Sequence, residues 1–260
     1  MNLNRLARIF LMNNKNLKIS IIIVNYKTPD LLEKCLGIIK KQANLIKLDY
    51  EIIIIDNSKI NRGYAKAVNL GIRKSNKNSK YLLIITPDIF LQKNALKKML
   101  KFMNQNLDTG LCGPQLLWPN KKLQESCFYF YKPWTILYRR TLLGRLPWGK
   151  KHLNWFLMRD IDIRENPKAP DWIKGCAMLV RRNALNEVGL MDNRFFMYFE
   201  DVDWCKRFKN KSYKIAIVHN AQALHFHHSA QKGGIFHILK KQNIIHIKSA
   251  IKYFWKWGLK

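Results

Sequence analysis

KISIIIVN, residues 18–25, is a short β-branched run bounded by polar residues, the pattern of a strand buried on both faces, as in a parallel sheet. A helix is predicted behind it. Thr28 is a good N-cap, Pro29 suits the first helical position, and Leu31, Leu32, Cys35, Leu36 and Ile39 recur at helical spacing up to Lys40–Lys41. Tyr50–Ile55 reads as the second strand and ends at Asp56–Asn57–Ser58. Strand, helix, strand makes a βαβ unit, which is right-handed in nearly all cases and collects ligands at the carboxyl ends of its strands. Asn25 and Asp56 stand at such ends.

Tyr81–Ile85 is a third buried strand, followed by Thr86–Pro87–Asp88. A lone carboxylate at the end of such a strand is expensive to desolvate. Its hard oxygens suit a divalent metal, Mg2+ or Mn2+, that bridges phosphates. Between these strands, NRGYAKAVN (61–69) sets Gly63 before a helix whose Asn69 shares the Ala65 face. A helix N-terminus behind a glycine is a ready anion site, although a plain helix start reads much the same.

FFMYFEDVDW (195–204) places Glu200, Asp201 and Asp203 within four positions behind an aromatic run. The chain carries a formal net charge of +30 with only 17 acidic residues, and none of them follows Asp203. Adjacent carboxylates that lose hydration raise each other's proton affinity, which is how a general base is tuned. The same residues also suit a helix capped by Asp201, with Phe199 as its hydrophobic staple.

The 260 residues, 48% of them apolar, suffice for one large domain or two small ones. The basic excess points to a polyanionic partner: nucleic acid, an anionic membrane surface or a phosphorylated substrate. Five cysteines without a CxxC pair suggest neither a disulfide framework nor a zinc site, so a reducing, cytoplasmic setting is expected. No apolar run approaches the ~20 residues that span a bilayer. From 111 to 170, aromatic residues mix with Arg139, Arg140, Arg145, Lys150 and Lys151. Such a lobe can stack on sugars and grip phosphates, lie on a membrane, or use its aromatics as core. The tail from Ile235 reads as an amphipathic helix with Ile244, Ile247, Ile251 and Phe254 on one face and Lys241, Lys248, Lys252 and Lys256 on another. Both an interfacial helix and a helix packed on the domain fit that pattern.

IIIVNYKT (21–28), IDNS (55–58), NRGYAKAVN (61–69), TPD (86–88), DWIKGCAMLVRR (171–182), GLMDNRFFMYFEDVDWCKR (189–207) and ALHFHHS (223–229), in this order, resemble the family 2 glycosyltransferases, and most of all their rhamnosyltransferase-like branch. The resemblance covers roughly residues 18–230. It implies an α/β chain with the GT-A, nucleotide-diphospho-sugar transferase fold: a Rossmann-like, mostly parallel central sheet flanked by helices. The implied divisions are an N-terminal extension (1–17), a transferase domain (18–230, with a nucleotide-binding half at 18–110 and an acceptor half at 111–230) and a basic C-terminal helix (231–260). The implied reaction is inverting transfer of a sugar, rhamnose leading, from a dTDP- or UDP-sugar to a glycan or lipid-linked acceptor at the inner face of the membrane, with no nucleic acid involved. Asp56 would hold the pyrimidine, and Asn25, Asn61, Gly63, Asn69 and Thr86 would line the nucleotide pocket. Asp88 and His225 would hold the metal, with His227 and His228 competing for the histidine role. Asp201 would be the base, Glu200 would orient the acceptor or the base, and Trp172 and Gly175 would flank the acceptor. Two departures stand out: Thr86 replaces the usual Asn before Pro-Asp, and only Lys59 and Ile60 separate IDNS from Asn61. A nucleotidyltransferase, a basic nucleic-acid- or membrane-binding protein, and a degenerate transferase are the alternatives.

Overall fold

The computed structural model describes residues 19–159, 170–226 and 241–259. The expected N-terminal extension, His227, His228 and the start of the tail up to residue 240 lie outside the described residues. In chain order, β1 (Ile19–Asn25) leads through α1 (Pro29–Leu45) to β2 (Tyr50–Asp56), and β2 leads through α2 (Tyr64–Lys74) to β3 (Tyr81–Ile85). The short β4 (Ile89–Leu91), α3 (Ala95–Gln105) and β5 (Thr109–Leu117) follow. An excursion then carries β6 (Cys127–Phe128), α4 (Pro133–Arg140), a 3-10 turn at Leu142–Arg145 and α5 (Pro147–Phe156). The chain returns through β7 (Trp172–Ile173), β8 (Ala177–Arg181), α6 (Arg182–Val188), α7 (Glu200–Asn210) and β9 (Lys214–His225), and the last described helix is α8 (Lys241–Trp257).

Seven strands form one sheet in the order β2-β1-β3-β8-β5-β9-β4. β1, β2, β3, β5 and β9 run one way, while β8 and β4 run against their neighbours. The expected parallel character therefore holds in five strands, and the sheet as a whole is mixed. The β-branched strands pack on both faces because alternate side chains point to opposite sides. Ile19, Ile21 and Ile23 meet α1 and α3 through Cys35, Ile39, Met99 and Met103. Ile22 and Val24 share the other face with Val68 and Ile72 of α2 and with Trp204 and Phe208 of α7.

Two arginines next to the sheet are buried without a carboxylate at the guanidinium. Arg181 donates to the carbonyls of Met103, Asn106 and Thr109, and Arg182 donates to those of Ser79 and Asn76 and to two serine hydroxyls. Each guanidinium is thus satisfied by carbonyls and hydroxyls around the end of α3 or in the turn before β3. The aromatic lobe divides. Phe128 stacks on Trp172 with ring centroids 4.3 Å apart, and Tyr131 and Phe156 join them in the core. Trp134 and Trp148 remain exposed.

Two local expectations need correction. Thr28 occupies the cap position of α1, but its hydroxyl donates to Asn25 Oδ1 and makes no cap bond. Nor does Asp201 cap α7: Phe199 is the cap residue, and no side chain bonds the cap. The tail helix both packs and exposes an apolar stripe. Tyr253 and Ala250 are buried, while Ile244, Ile247, Ile251 and Trp255 face outward. Its polar anchors grip the segment before α7: Ser249 bonds the Met197 carbonyl, Lys252 bonds the Arg194 carbonyl, and Lys256 pairs with Asp192 and Asp203.

Asp203, fully buried, also accepts from Arg207 Nε and Trp257 Nε1 at 2.9 Å each. It is a docking charge for α8 and not a surface acid. Removing one partner of a buried ion pair costs about 3–5 kcal/mol, reduced here because Arg207 and Lys256 keep some solvent contact. Asp203→Asn should therefore lower the urea midpoint by the equivalent of about 2–4 kcal/mol. A midpoint equal to wild type would show that α8 docks without this charge.

Candidate active site

Strands of common direction present their carboxyl ends at one edge of a sheet, and the reversed β8 brings its beginning to the same edge. A cavity of about 950 Å³ opens there. Its lining includes Thr86 and Asp88 after β3, His225 at the end of β9, Gly175 and Cys176 before β8, and Glu200 and Asp201 at the start of α7.

Asp88 meets His225 because β4 pairs with β9 in a register that sets Ile89 opposite His225, and Phe226 N–H donates to the Asp88 carbonyl. Asp88 Oδ2 lies 3.3 Å from His225 Nε2, and His225 Nδ1 lies 2.9 Å from Gln124 Oε1. Thr86 Oγ1 donates to Asp88 Oδ1. Burial works to raise the Asp88 pKa, but the hydrogen bonds of His225 and Thr86 outweigh it and hold the carboxyl below its ordinary range. A bound cation would take the place of that His225 hydrogen bond: with Nδ1–H donated to Gln124, the Nε2 lone pair and the Asp88 carboxylate would face the ion together. One carboxylate and one imidazole are two ligands. Among the described residues no group of three or more His, Cys, Asp or Glu could hold a metal, so an ion here would take its remaining ligands from substrate or water.

Glu200 and Asp201 follow two consecutive left-handed residues, Tyr198 and Phe199, with φ near +68° and +67°. Non-glycine residues hold that conformation only when the surroundings impose it. Here Phe199 is wedged among Tyr131, His246 and Tyr253, with ring centroids 4.7–5.4 Å away. Asp201 Oδ2 accepts from Gly175 N–H at 3.0 Å and Oδ1 accepts from Val202 N–H at 2.9 Å. A Cβ at Gly175 would lie 3.2 Å from that of Asp201, which explains the glycine. Glu200 is buried, and its Oε2 has no hydrogen-bond partner among the described residues. Burial and then the neighbouring Asp201 charge push the Glu200 pKa far up, whereas for Asp201 burial raises it and the two backbone N–H groups resist. The backbone N–H groups thus favour the charged form at Asp201, while burial favours the neutral form at Glu200. Tyr64, whose hydroxyl donates to the Gly175 carbonyl, and Lys174 complete this wall.

Other expected residues sit differently. Asn69 is buried and spends its amide on Met191 and Asn193, so it braces the segment before α7 and does not line the cavity. Gly63 is needed for close backbone approach, but to protein and not to phosphate: its φ is +83° and a Cβ would lie 2.4 Å from the Phe196 carbonyl oxygen. That carbonyl accepts from Tyr64 N–H at 2.7 Å, so the N-terminus of α2 is already occupied. Asn61 lines the cavity and knits the loop by accepting from Gly63 N–H and Asn57 Nδ2. Asp56 is exposed beside the lining residue Asn57 and is oriented by Ser58 N–H and by Asn25 Nδ2 at 3.4 Å. Trp172 lines the cavity while its indole N–H donates to the Tyr129 carbonyl. Gln124, Tyr64 and His246 also line it. Tyr64 lay inside a recognisable motif, whereas Gln124 and His246 carried no local signal.

Comparison with known proteins bears on this geometry. Residues 21–235 match the model of a glycosyltransferase-like family. A hexosyltransferase of low-salt glycan biosynthesis, Agl10 from Haloferax volcanii, is 26% identical over 80% of this chain and 66% of its own length. The N-acetylglucosaminyl-diphospho-decaprenol L-rhamnosyltransferase of Mycobacterium tuberculosis is 25% identical over 67% of this chain and 58% of its own. The chain thus spans about three fifths to two thirds of these curated relatives. In fold it is similar to the mannosyltransferase PcManGT of Pyrobaculum calidifontis in complex with GDP-Man and Mn2+ (TM-score 0.56, 12% identity, 92% of this chain and 64% of that one). It is also similar to a Drosophila β1,4-galactosyltransferase 7 in complex with manganese, UDP-Gal and xylobiose (TM-score 0.52, 12% identity, 88% and 79%). With the family model matched over most of its length, the chain belongs to the family 2 glycosyltransferase-like proteins and has the GT-A fold.

Proposed function

We propose that this transferase moves a sugar, with inversion, from a nucleoside diphosphate donor to a hydroxyl of a glycan or lipid-linked acceptor. One observation carries the reading: a single cavity holds a carboxyl kept below its ordinary range, Asp88, and a carboxyl pair kept above it, Glu200–Asp201. Carboxyls pushed in opposite directions take different roles. Asp201 accepts the proton of the acceptor hydroxyl as its oxygen bonds the anomeric carbon, while the bond to the nucleoside diphosphate breaks and the electron pair leaves on the diphosphate. Glu200, neutral, spares the site a second charge. Asp88 and His225 would hold a divalent ion, Mg2+ or Mn2+, which when bound supplies the charge that neutralises the diphosphate.

In this reading residues 18–110 hold the nucleotide, with Asp56 and Asn25 at the base and Thr86 positioning Asp88. Residues 111–230 hold the acceptor beside Trp172 and Gly175. The mycobacterial relative's name favours rhamnose and a lipid-linked acceptor; dTDP-rhamnose is the leading donor of this reading, with a UDP-sugar second. Among the described residues no helix is long and apolar enough to cross a membrane. The exposed stripe Ile244, Ile247, Ile251 and Trp255 on a lysine-rich helix supports peripheral contact with an anionic membrane.

Asp201→Asn should cut turnover at least ~10²-fold and leave nucleotide affinity unchanged, since the amide oxygen can still accept from Gly175. Full activity would remove Asp201 as the base. Asp88→Ala should abolish Mn2+-dependent thermal stabilisation by UDP or dTDP; equal shifts in variant and wild type would take the metal away from Asp88.

A third expectation concerns pH. Because the Glu200 pKa is raised in the folded state, its stabilising contribution is complete at acid pH and is lost as pH rises above the unfolded value near ~4.3, at up to about 1.4 kcal/mol per unit. Urea titrations should therefore show wild type weakening relative to Glu200→Gln between pH 5 and 7. Parallel profiles would contradict a buried neutral acid.

A further inference from the structure

The excursion between β5 and β7 brings a second charged cluster to the same cavity. Arg139 and Arg140 at the end of α4 and Arg145 of the 3-10 turn line it together with Gln242, Asn243 and His246 at the start of α8. No Asp or Glu pairs with these arginines among the described residues. Arg139 donates to Tyr131 Oη at 2.6 Å, and Arg140 donates to Asn243 Oδ1. The Tyr131 ring lies 4.7 Å from that of Phe199, the residue directly before Glu200–Asp201. The basic cluster is thus tied to the wall of the carboxylate pair. Burial, then Arg140 and Arg139, hold His246 down at about 3, so it is neutral, and its buried Nδ1 has no hydrogen-bond partner among the described residues.

The elements that carry the cluster also expose apolar side chains. Trp134 and Leu137 of α4, Leu142 of the turn, Trp148 of α5, and Ile244 and Ile247 of α8 are all exposed. Guanidiniums that pair with no carboxylate among the described residues, lining a cavity and carried on elements that also expose apolar side chains, complement an anionic phosphate on a hydrocarbon chain. We propose that Arg140 and Arg145, with Arg139, form the site for the diphosphate of a lipid-linked acceptor, whose chain leaves over the face of α4, α5 and α8. The inference rests on the transferase reading above and adds to it the residues that hold the acceptor's diphosphate.

The test uses the full chain in EDTA, which silences the metal-dependent nucleotide site, and follows tryptophan fluorescence during titration with farnesyl diphosphate. Wild type should bind this probe at least tenfold more tightly than farnesol or inorganic pyrophosphate, and excess UDP should not displace it. Arg140→Gln with Arg145→Gln should weaken binding at least tenfold at an unchanged melting temperature, and Asp88→Ala should bind as wild type. Unchanged binding by the double variant, or displacement by UDP, would overturn the proposal. Mn2+-dependent stabilisation by dTDP, measured on the same preparations, reports separately on the transferase reading.

Discussion

Two adjacent carboxyls in one wall raise each other's proton affinity, and much of the structure serves to favour the charged form at Asp201 over Glu200. Glu200 occupies the buried position, where ionisation costs most, and Asp201 takes the backbone N–H groups of Gly175 and Val202. The arrangement depends on the segment from Asp192 to Phe199, which turns through two left-handed residues to start α7 at the cavity. That turn is held from three sides. Asn69 bonds it from α2, the Phe199 ring is wedged into the aromatic lobe, and α8 grips it through Ser249, Lys252 and Lys256. Backbone strain at a functional position persists only where the surroundings over-determine it.

The parallel core was legible because its determinants are local. Continuous β-branched runs and Pro29 fix strands and a helix within a few residues, and the strand ends at Asn25, Asp56 and Asp88 lie where that reading puts them. The direction of β8 was not legible, since it depends on how a distant lobe returns. Side-chain allegiance was harder still. Gly63, Asn69 and Asp203 have the residue types of a binding site, yet each is consumed by structure: a close backbone approach, a brace and a helix dock. Gly63 and Asn69 meet Phe196 and Asn193, 133 and 124 positions away, and Asp203 adds Trp257, 54 away, to its local partner Arg207, so no local pattern could assign these contacts. Gln124, which holds His225 from 101 positions away, illustrates the converse case of a site residue without a motif.

The strong positive charge is used unevenly. Arg181 and Arg182 neutralise nothing and instead satisfy buried carbonyls, whereas Arg207 and Lys256 converge on the buried Asp203. Arg139, Arg140 and Arg145 of the aromatic lobe pair with no carboxylate among the described residues. Family membership selects the transferase among the functions that the basic composition left open.

The central claim is that one cavity separates a metal-holding carboxyl from a proton-accepting one. A crystal of this protein soaked with Mn2+ and dTDP, with the ion located by its anomalous scattering, tests that division most directly. The account predicts manganese about 2.0–2.3 Å from the Asp88 carboxylate, with His225 beside it and the diphosphate between the ion and Asp201. Manganese bound to the Glu200–Asp201 pair, or outside the cavity, would contradict it.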